Sequence, residues 1–363
     1  SAASPATVSR IGVVYVSPTD LNWLPTMKTW CATKLPEETP QGVLDYIIGL
    51  VEKYMEPGLK WQRKYCKEYI VTVDVGLTGA FSFLFQSLFL PEKNIDFKQD
   101  EVKLCKIAAK IFVFAFTWAI GGTITSEKLE AFDEFARGLF EEGGLDCGLP
   151  PMLTLYDYFV DTEANDFKKW DSIIPEFKYS ADLPYFSLFV PTIDTVRSSN
   201  IMTLMIEQQR AVFLTGDSGT GKTAMITQLL GKLEPSKEEG GLGVNGVFIN
   251  YSAQTSSLVT QMTIEGKMER KKKTLLGAPV NRKFVFFVDD VNMPLVETYG
   301  AQAPVELVRQ FLDQNSNRAS KKIQQAAVRL RRVHSKATFV FTVNILVFVV
   351  FSWGARPPDT PQD

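Results

Sequence analysis

The stretch AVFLTGDSGTGKT, Ala211 to Thr223, leaves this chain few choices of fold. Val212, Phe213 and Leu214 read as a short apolar strand. A glycine-rich turn follows, and Lys222-Thr223 opens a helix with Met225, Ile226, Leu229 and Leu230 on one face. Gly216, Gly221, Lys222 and Thr223 match the phosphate-binding pattern G-x-x-x-x-G-K-[ST] at every fixed position. Glycines let successive backbone N–H groups turn inward around a phosphate, where a Cβ would obstruct the approach. The helix aims its positive end at the same anion. Gly216, Ser218, Gly219, Thr220, Gly221, Lys222 and Thr223 are therefore the candidate cradle, with Lys222 reaching the outer phosphates and the Thr223 hydroxyl holding Mg²⁺. A Gly/Ser/Thr-rich hairpin matching by chance is the plain alternative, and the flanking strand and helix count against it.

A second pattern follows downstream. Phe284 to Val288 is an unbroken apolar run ending in Asp289-Asp290, as a central parallel strand carrying two carboxylates should be. Asp289 would order Mg²⁺, and Asp290 would polarise an attacking water. The expected ligands are ATP or ADP with Mg²⁺.

Composition narrows the remaining classes. Thirty-nine basic against 41 acidic residues give a net charge of −2, so neither nucleic acid nor an anionic membrane is an expected partner. Cys31, Cys66, Cys105 and Cys147 form no C-x-x-C pair, and His334 is the single histidine. Zinc sites and Cys/His or Ser/His catalysis therefore lack parts. The cysteines read as reduced core thiols of an intracellular protein. The chain opens at Ser1 with no signal-peptide pattern and reads as a fragment.

Taken in order, Ser4 and Pro5 start a very short helix that runs into Arg10 and a strand from Ile11 to Val16. From Gln41 to about Phe140 the pattern is helical. Val43, Ile47, Leu50, Val51 and Tyr54 share a face until Pro57-Gly58 stops the run. Further helices are expected over Leu59 to about Val73, Leu77 to Leu90 and Asp100 to Ile120, with a fifth capped by Thr125. The fourth becomes apolar all round in IFVFAFTWAI, too short a run to span a bilayer, and reads as a buried core helix. Gly143 to Pro151 is a plausible boundary, and Trp170 to Pro191 reads as extended. Thr192 to Gln209 reads as a helix leading to the phosphate loop. Val247 to Asn250 is a strand, and Ser257 to about Lys273 a helix ending in the basic run Glu269 to Lys273.

With both halves in view, the chain resembles the dynein heavy chain motor, a ring of concatenated AAA+ modules. SPATVSR with IGVVYVSP at 4–18, FVFAFTWAIGG at 112–122 and VPTIDTVR at 190–197 carry the resemblance. INYSAQTSS at 249–257, VFFVDDVNMP at 285–294 and YGAQAPVELVRQFLD at 299–313 extend it to about residue 314. The last two look most like the third module of axonemal-type heavy chains. The implied fold is α/β, a P-loop AAA+ core with an incomplete parallel sheet, preceded by an α-helical lid subdomain. Residues 1–150 would be the end of the second module, 151–314 the third-module core, and 315–363 an atypical basic then hydrophobic tail. The resemblance also places Arg10 where AAA+ proteins carry a trans-acting arginine finger, aimed at the nucleotide of the preceding module. It implies an ATP-driven, minus-end-directed microtubule motor of the cytoplasm and cytoskeleton, specifically the cilium axoneme. Its partners would be neighbouring AAA+ modules of the same heavy chain, dynein intermediate and light intermediate chains, and microtubules.

Two departures stand out. Asp290 occupies the place where many AAA+ ATPases carry a catalytic glutamate, and Asp217 puts a negative charge beside the phosphates. Asp290 is one methylene shorter, which keeps open a non-hydrolysing, regulatory or structural nucleotide module. After Gln314 the family pattern gives way to a basic stretch and then to uncharged residues from Ala337 to Ala355. That segment reads first as an aberrant terminus, next as a buried strand pair, and last as the tail anchor of a membrane-bound P-loop protein.

Overall fold

The apolar run IFVFAFTWAI sets the centre of the first of two units. The computed structural model describes residues 22–177, 188–216, 219–236, 239–272, 275–279, 282–298, 300–314, 332–333 and 337–343. Its described residues divide into one unit up to residue 220 and another from residue 221 onward. Arg10, the strand expected at Ile11 to Val16, Asp217 and Ser218 lie outside the described residues.

The first unit opens with five helices: α1 (Trp23–Lys34), α2 (Gln41–Tyr65), α3 (Asp74–Leu88), α4 (Glu101–Gly121) and α5 (Leu129–Glu142). Because α4 is apolar all round, its neighbours must cover it on every side. Ile111 to Gly121 is buried without a gap. Among the described residues α4 is the helix long and apolar enough to cross a membrane, yet 83% of its apolar window is buried inside the protein. Aromatic rings fill the core. Phe112 meets Phe81 edge-on at 5.1 Å between centroids, and Phe116 meets Phe140 at 5.2 Å. Trp61 stacks on Phe135 at 4.7 Å. Each fully buried ring contributes about 1.5–3 kcal/mol.

Pro57-Gly58 does not stop α2, contrary to expectation: the helix runs through both residues to Tyr65. Proline in a helix interior costs about 3 kcal/mol. Val51, Tyr54, Met55 and Leu59 are all buried around it, and four such burials at about 1.5–3 kcal/mol each exceed that cost. Gly58 is there for space: an added Cβ would overlap the Phe116 ring.

Beyond α5 the chain folds back along the helices. Buried Asp133 accepts from Arg137 Nε at 2.8 Å and from the backbone N–H of Leu155 at 2.6 Å. Arg137 also donates to the carbonyls of Pro150 and Leu153. A hairpin that the sequence reading passed over follows, β1 (Tyr158–Asp161) antiparallel to β2 (Asp166–Lys169). Tyr156 Oη donates to the Gly121 carbonyl, and Trp170 Nε1 to the Tyr156 carbonyl. Trp170–Ile173 is a 3-10 turn rather than extended chain. Then come α6 (Ile193–Glu207), capped by the Thr192 side chain, and β3 (Val212–Thr215). Lys93 pairs with Glu207 at 2.8 Å, and the Arg210 guanidinium lies 3.8 Å over the Phe83 ring, joining this end to α3 and the turn after it.

The second unit contains α7 (Lys222–Leu233), β4 (Val244–Asn250), α8 (Ser257–Lys267), β5 (Glu269–Lys272), β6 (Leu275–Gly277), β7 (Lys283–Asp289), α9 (Ala303–Gln314), β8 (Arg332–Val333) and β9 (Ala337–Val343). β7 lies between β4 and β9, parallel to both. Phe284 to Val288 are all buried, which is why this strand reads as a continuous apolar run rather than an alternating one. The helix expected to reach Lys273 ends at Lys267. The basic run instead forms β5, antiparallel to β6.

β9 bears on the reading of the tail. The first seven residues of the uncharged stretch form β9, and five of them pair with β7, from Phe284 opposite Ala337 to Val288 opposite Phe341. An open strand cannot cross a bilayer, because its backbone groups would go unpaired in lipid. The pairing does not favour the anchor reading for these residues.

Candidate functional site

A helix that starts on a left-handed glycine faces the end of a buried strand. Gly221, the residue before α7, has φ +85°. Gly219, in the preceding unit, has φ +83°. An added Cβ would meet nothing within 4 Å at either position. Backbone handedness, rather than crowding within the protein, is what calls for glycine there. The space beside them is open.

Lys222 is buried at 6% exposure although it carries an amine. Thr223 is exposed, and its Oγ1 donates to Asp289 Oδ2 at 2.9 Å across a sequence separation of 66. Asp289 is fixed from the other side by the sheet: it sits opposite Asn250 in the parallel register, and the Tyr251 N–H donates to its carbonyl at 3.0 Å. The hydroxyl and carboxylate are hard oxygen donors, which suits Mg²⁺. The open glycine turn and the buried amine suit a phosphate.

Asp290 leaves the strand in the left-handed region, φ +53°. Aspartate tolerates this better than most residues. Burial raises its carboxyl above the ordinary carboxylate value. The neighbouring Asp289 raises it further, and Lys222 pulls it back. The next turn closes with the Met293 N–H on the Asp290 carbonyl at 2.9 Å.

Thr223, Lys222, Gly221, Asp289 and Asp290 are thus placed in one unit, whereas Gly216, Gly219 and Thr220 belong to the other. Gln302 acquires a contact that the sequence reading left unassigned. Its Nε2 donates to the carbonyls of Asn292 at 3.0 Å and Pro294 at 2.6 Å. The only sequence signal for it was its place in YGAQ.

A family profile described as the P-loop containing dynein motor region matches residues 177–329, and one described as the dynein heavy chain AAA lid domain matches residues 47–172. The chain belongs to the dynein heavy chain family. It is 40% identical over 314 residues to dynein axonemal heavy chain 6 of Homo sapiens. It is also 31% identical over 344 residues to the dynein-1-beta heavy chain of the flagellar inner arm I1 complex of Chlamydomonas reinhardtii. To dynein axonemal heavy chain 9 of Homo sapiens it is 33% identical over 312 residues. Each alignment covers 86% of this chain and 7% of the relative's own length. The dynein P-loop family implies nucleotide binding, and the small parallel sheet with a helical lid agrees with the fold expected from the sequence.

Proposed function

We propose that this chain supplies the nucleotide-binding third AAA+ module of an axonemal-type dynein heavy chain, with the helical lid of the second module ahead of it. The supporting observation is the 2.9 Å bond between Thr223 Oγ1 and Asp289 Oδ2, which joins the ends of the two motifs that the chemistry requires. In this reading the loop from Gly216 to Thr223, Ser218 and Thr220 included, wraps ATP or ADP, and Lys222 neutralises the outer phosphates. Thr223 and Asp289 would hold Mg²⁺, which supplies charge neutralisation when bound. Where hydrolysis occurs, Asp290 accepts the proton of the attacking water, giving ADP and phosphate. Arg10 serves a site in the preceding module.

The relatives are axonemal dyneins, so the whole protein is proposed to work in the cilium axoneme, as part of the cytoskeleton. There it would couple ATP to minus-end-directed movement along microtubules. Its neighbouring AAA+ modules, intermediate chains and light intermediate chains are the partners implied.

Titrating the 363-residue chain with a fluorescent ATP analogue tests the site. Binding should weaken at least about tenfold in Lys222→Ala; equal binding by both proteins would remove the proposal. A second reading, nucleotide held without turnover, rests on Asp290 alone, a shorter acid in a left-handed backbone position. Loss of phosphate release on Asp290→Asn in the intact motor would exclude it.

A further inference from the structure

Apolar packing holds little of the acidic turn. Asp290 sits in a conformation that side chains rarely adopt, and beyond it Met293, Leu295 and Val296 are exposed at 49%, 72% and 62%. Only Val291 and Pro294 in this stretch are buried. Apolar packing therefore supplies few restraints on the direction in which Asp290 leaves the strand.

Polar contacts do that instead. On one side the Leu295 N–H reaches the Ala253 carbonyl at 3.4 Å. On the other, Gln302 donates to the carbonyls of Asn292 and Pro294, which bracket Met293. Both partners are carbonyl oxygens, so the amide nitrogen must face them. The base of the Gln302 side chain is itself fixed, because its carbonyl accepts from the Glu306 N–H at 3.0 Å and so begins α9. One side chain thus ties the turn carrying Asp290 to a helix start.

We propose that Gln302 is a positioning residue for the Asp289–Asp290 turn, setting how well those carboxylates meet a magnesium-bound nucleotide. This rests on the nucleotide reading above. The role acts through the backbone of residues 290–294 and not through contact with nucleotide. It should therefore appear in the metal-dependent part of binding and leave the phosphate cradle alone.

The test titrates the 363-residue chain with the fluorescent ATP analogue in excess Mg²⁺ and again in EDTA. It compares the unmodified chain with Gln302→Glu, which sets a carboxylate against two carbonyls, and with Gln302→Met, a neutral side chain of similar length without a donor. The Mg²⁺ enhancement of affinity should fall about tenfold in both variants, while the EDTA affinity and the melting curve stay close to those of the unmodified chain. An unchanged enhancement in either folded variant would overturn the inference alone. So would failure of both variants to fold, since a residue needed by the whole unit is not specific to the turn. Absence of binding sensitive to Lys222→Ala in the unmodified chain would overturn the nucleotide reading and this inference together.

Discussion

Thr223 lies in the first turn of α7, Asp289 closes β7, and a hydrogen bond of 2.9 Å joins them. Because Thr223 is exposed there, the bond contributes little to stability. Its value is geometric: two oxygen donors are held within reach of one cation.

Asp289→Ala should therefore leave the fold intact and weaken binding of the ATP analogue in Mg²⁺ by about 10–100-fold. Calorimetric titration with and without Mg²⁺ measures this. If the variant keeps the full metal-dependent gain, Asp289 is not a metal ligand.

Two glycines of the same region should respond in opposite directions. Gly221 has φ +85°, and Gly231 is inside α7 with open space around it. Gly221→Ala should destabilise by about 1–2 kcal/mol, since left-handed backbone is costly for alanine. Gly231→Ala should stabilise by about 0.5–1 kcal/mol through helix propensity. Urea midpoints of the two variants decide the matter, and shifts of the same sign would refute the backbone argument.

In the lid, Asp133 is the buried charge on which the returning loop depends. Its carboxylate holds Arg137 and the Leu155 N–H at once. Asp133→Ala leaves both without that partner, and losing hydrogen bonds to a charged acceptor costs about 1.5–3 kcal/mol. Chemical denaturation should show the loss, and proteolysis should first cut between residues 143 and 157. A stable variant with an unchanged cleavage pattern would contradict this.

Burial pushes the thiols of Cys31, Cys66 and Cys147 up to about 11 from an ordinary 9.0. Folding thus favours the neutral thiols. Their contribution is fully present below pH 9, where the unfolded thiols are still protonated, and is lost as the pH rises through 11. The urea midpoint should fall across that window, and maleimide should label buried Cys31 and Cys147 at pH 7 far more slowly than in denaturant. A midpoint independent of pH between 9 and 11 would show that the thiols ionise as freely in the folded chain.

The phosphate loop and the acidic strand were legible in the sequence because their chemistry fixes residue types at fixed spacings. The helical character of the lid was legible from periodicity alone. The errors lie where distant residues decide the outcome. Pro57 reads locally as a stop, but the apolar face on both sides of it packs against α4. The basic run after Lys267 reads as a solvated helix end, yet it pairs with Leu275 to Gly277. Nothing near Ala337 says that a strand begun there will lie beside Phe284. Gln302 was visible as a letter in a motif, and its contact with Asn292 and Pro294 required the fold.

The position of β9 bears on how this protein can be shortened. Removing everything after Gln314, where the family likeness fades, would strip one flank of β7 and bare a row of backbone amides and carbonyls beside Phe284 to Val288. Such an uncovered flank invites pairing with another copy of the chain. A trimmed version would then clump in solution for a reason unrelated to whether it can hold nucleotide.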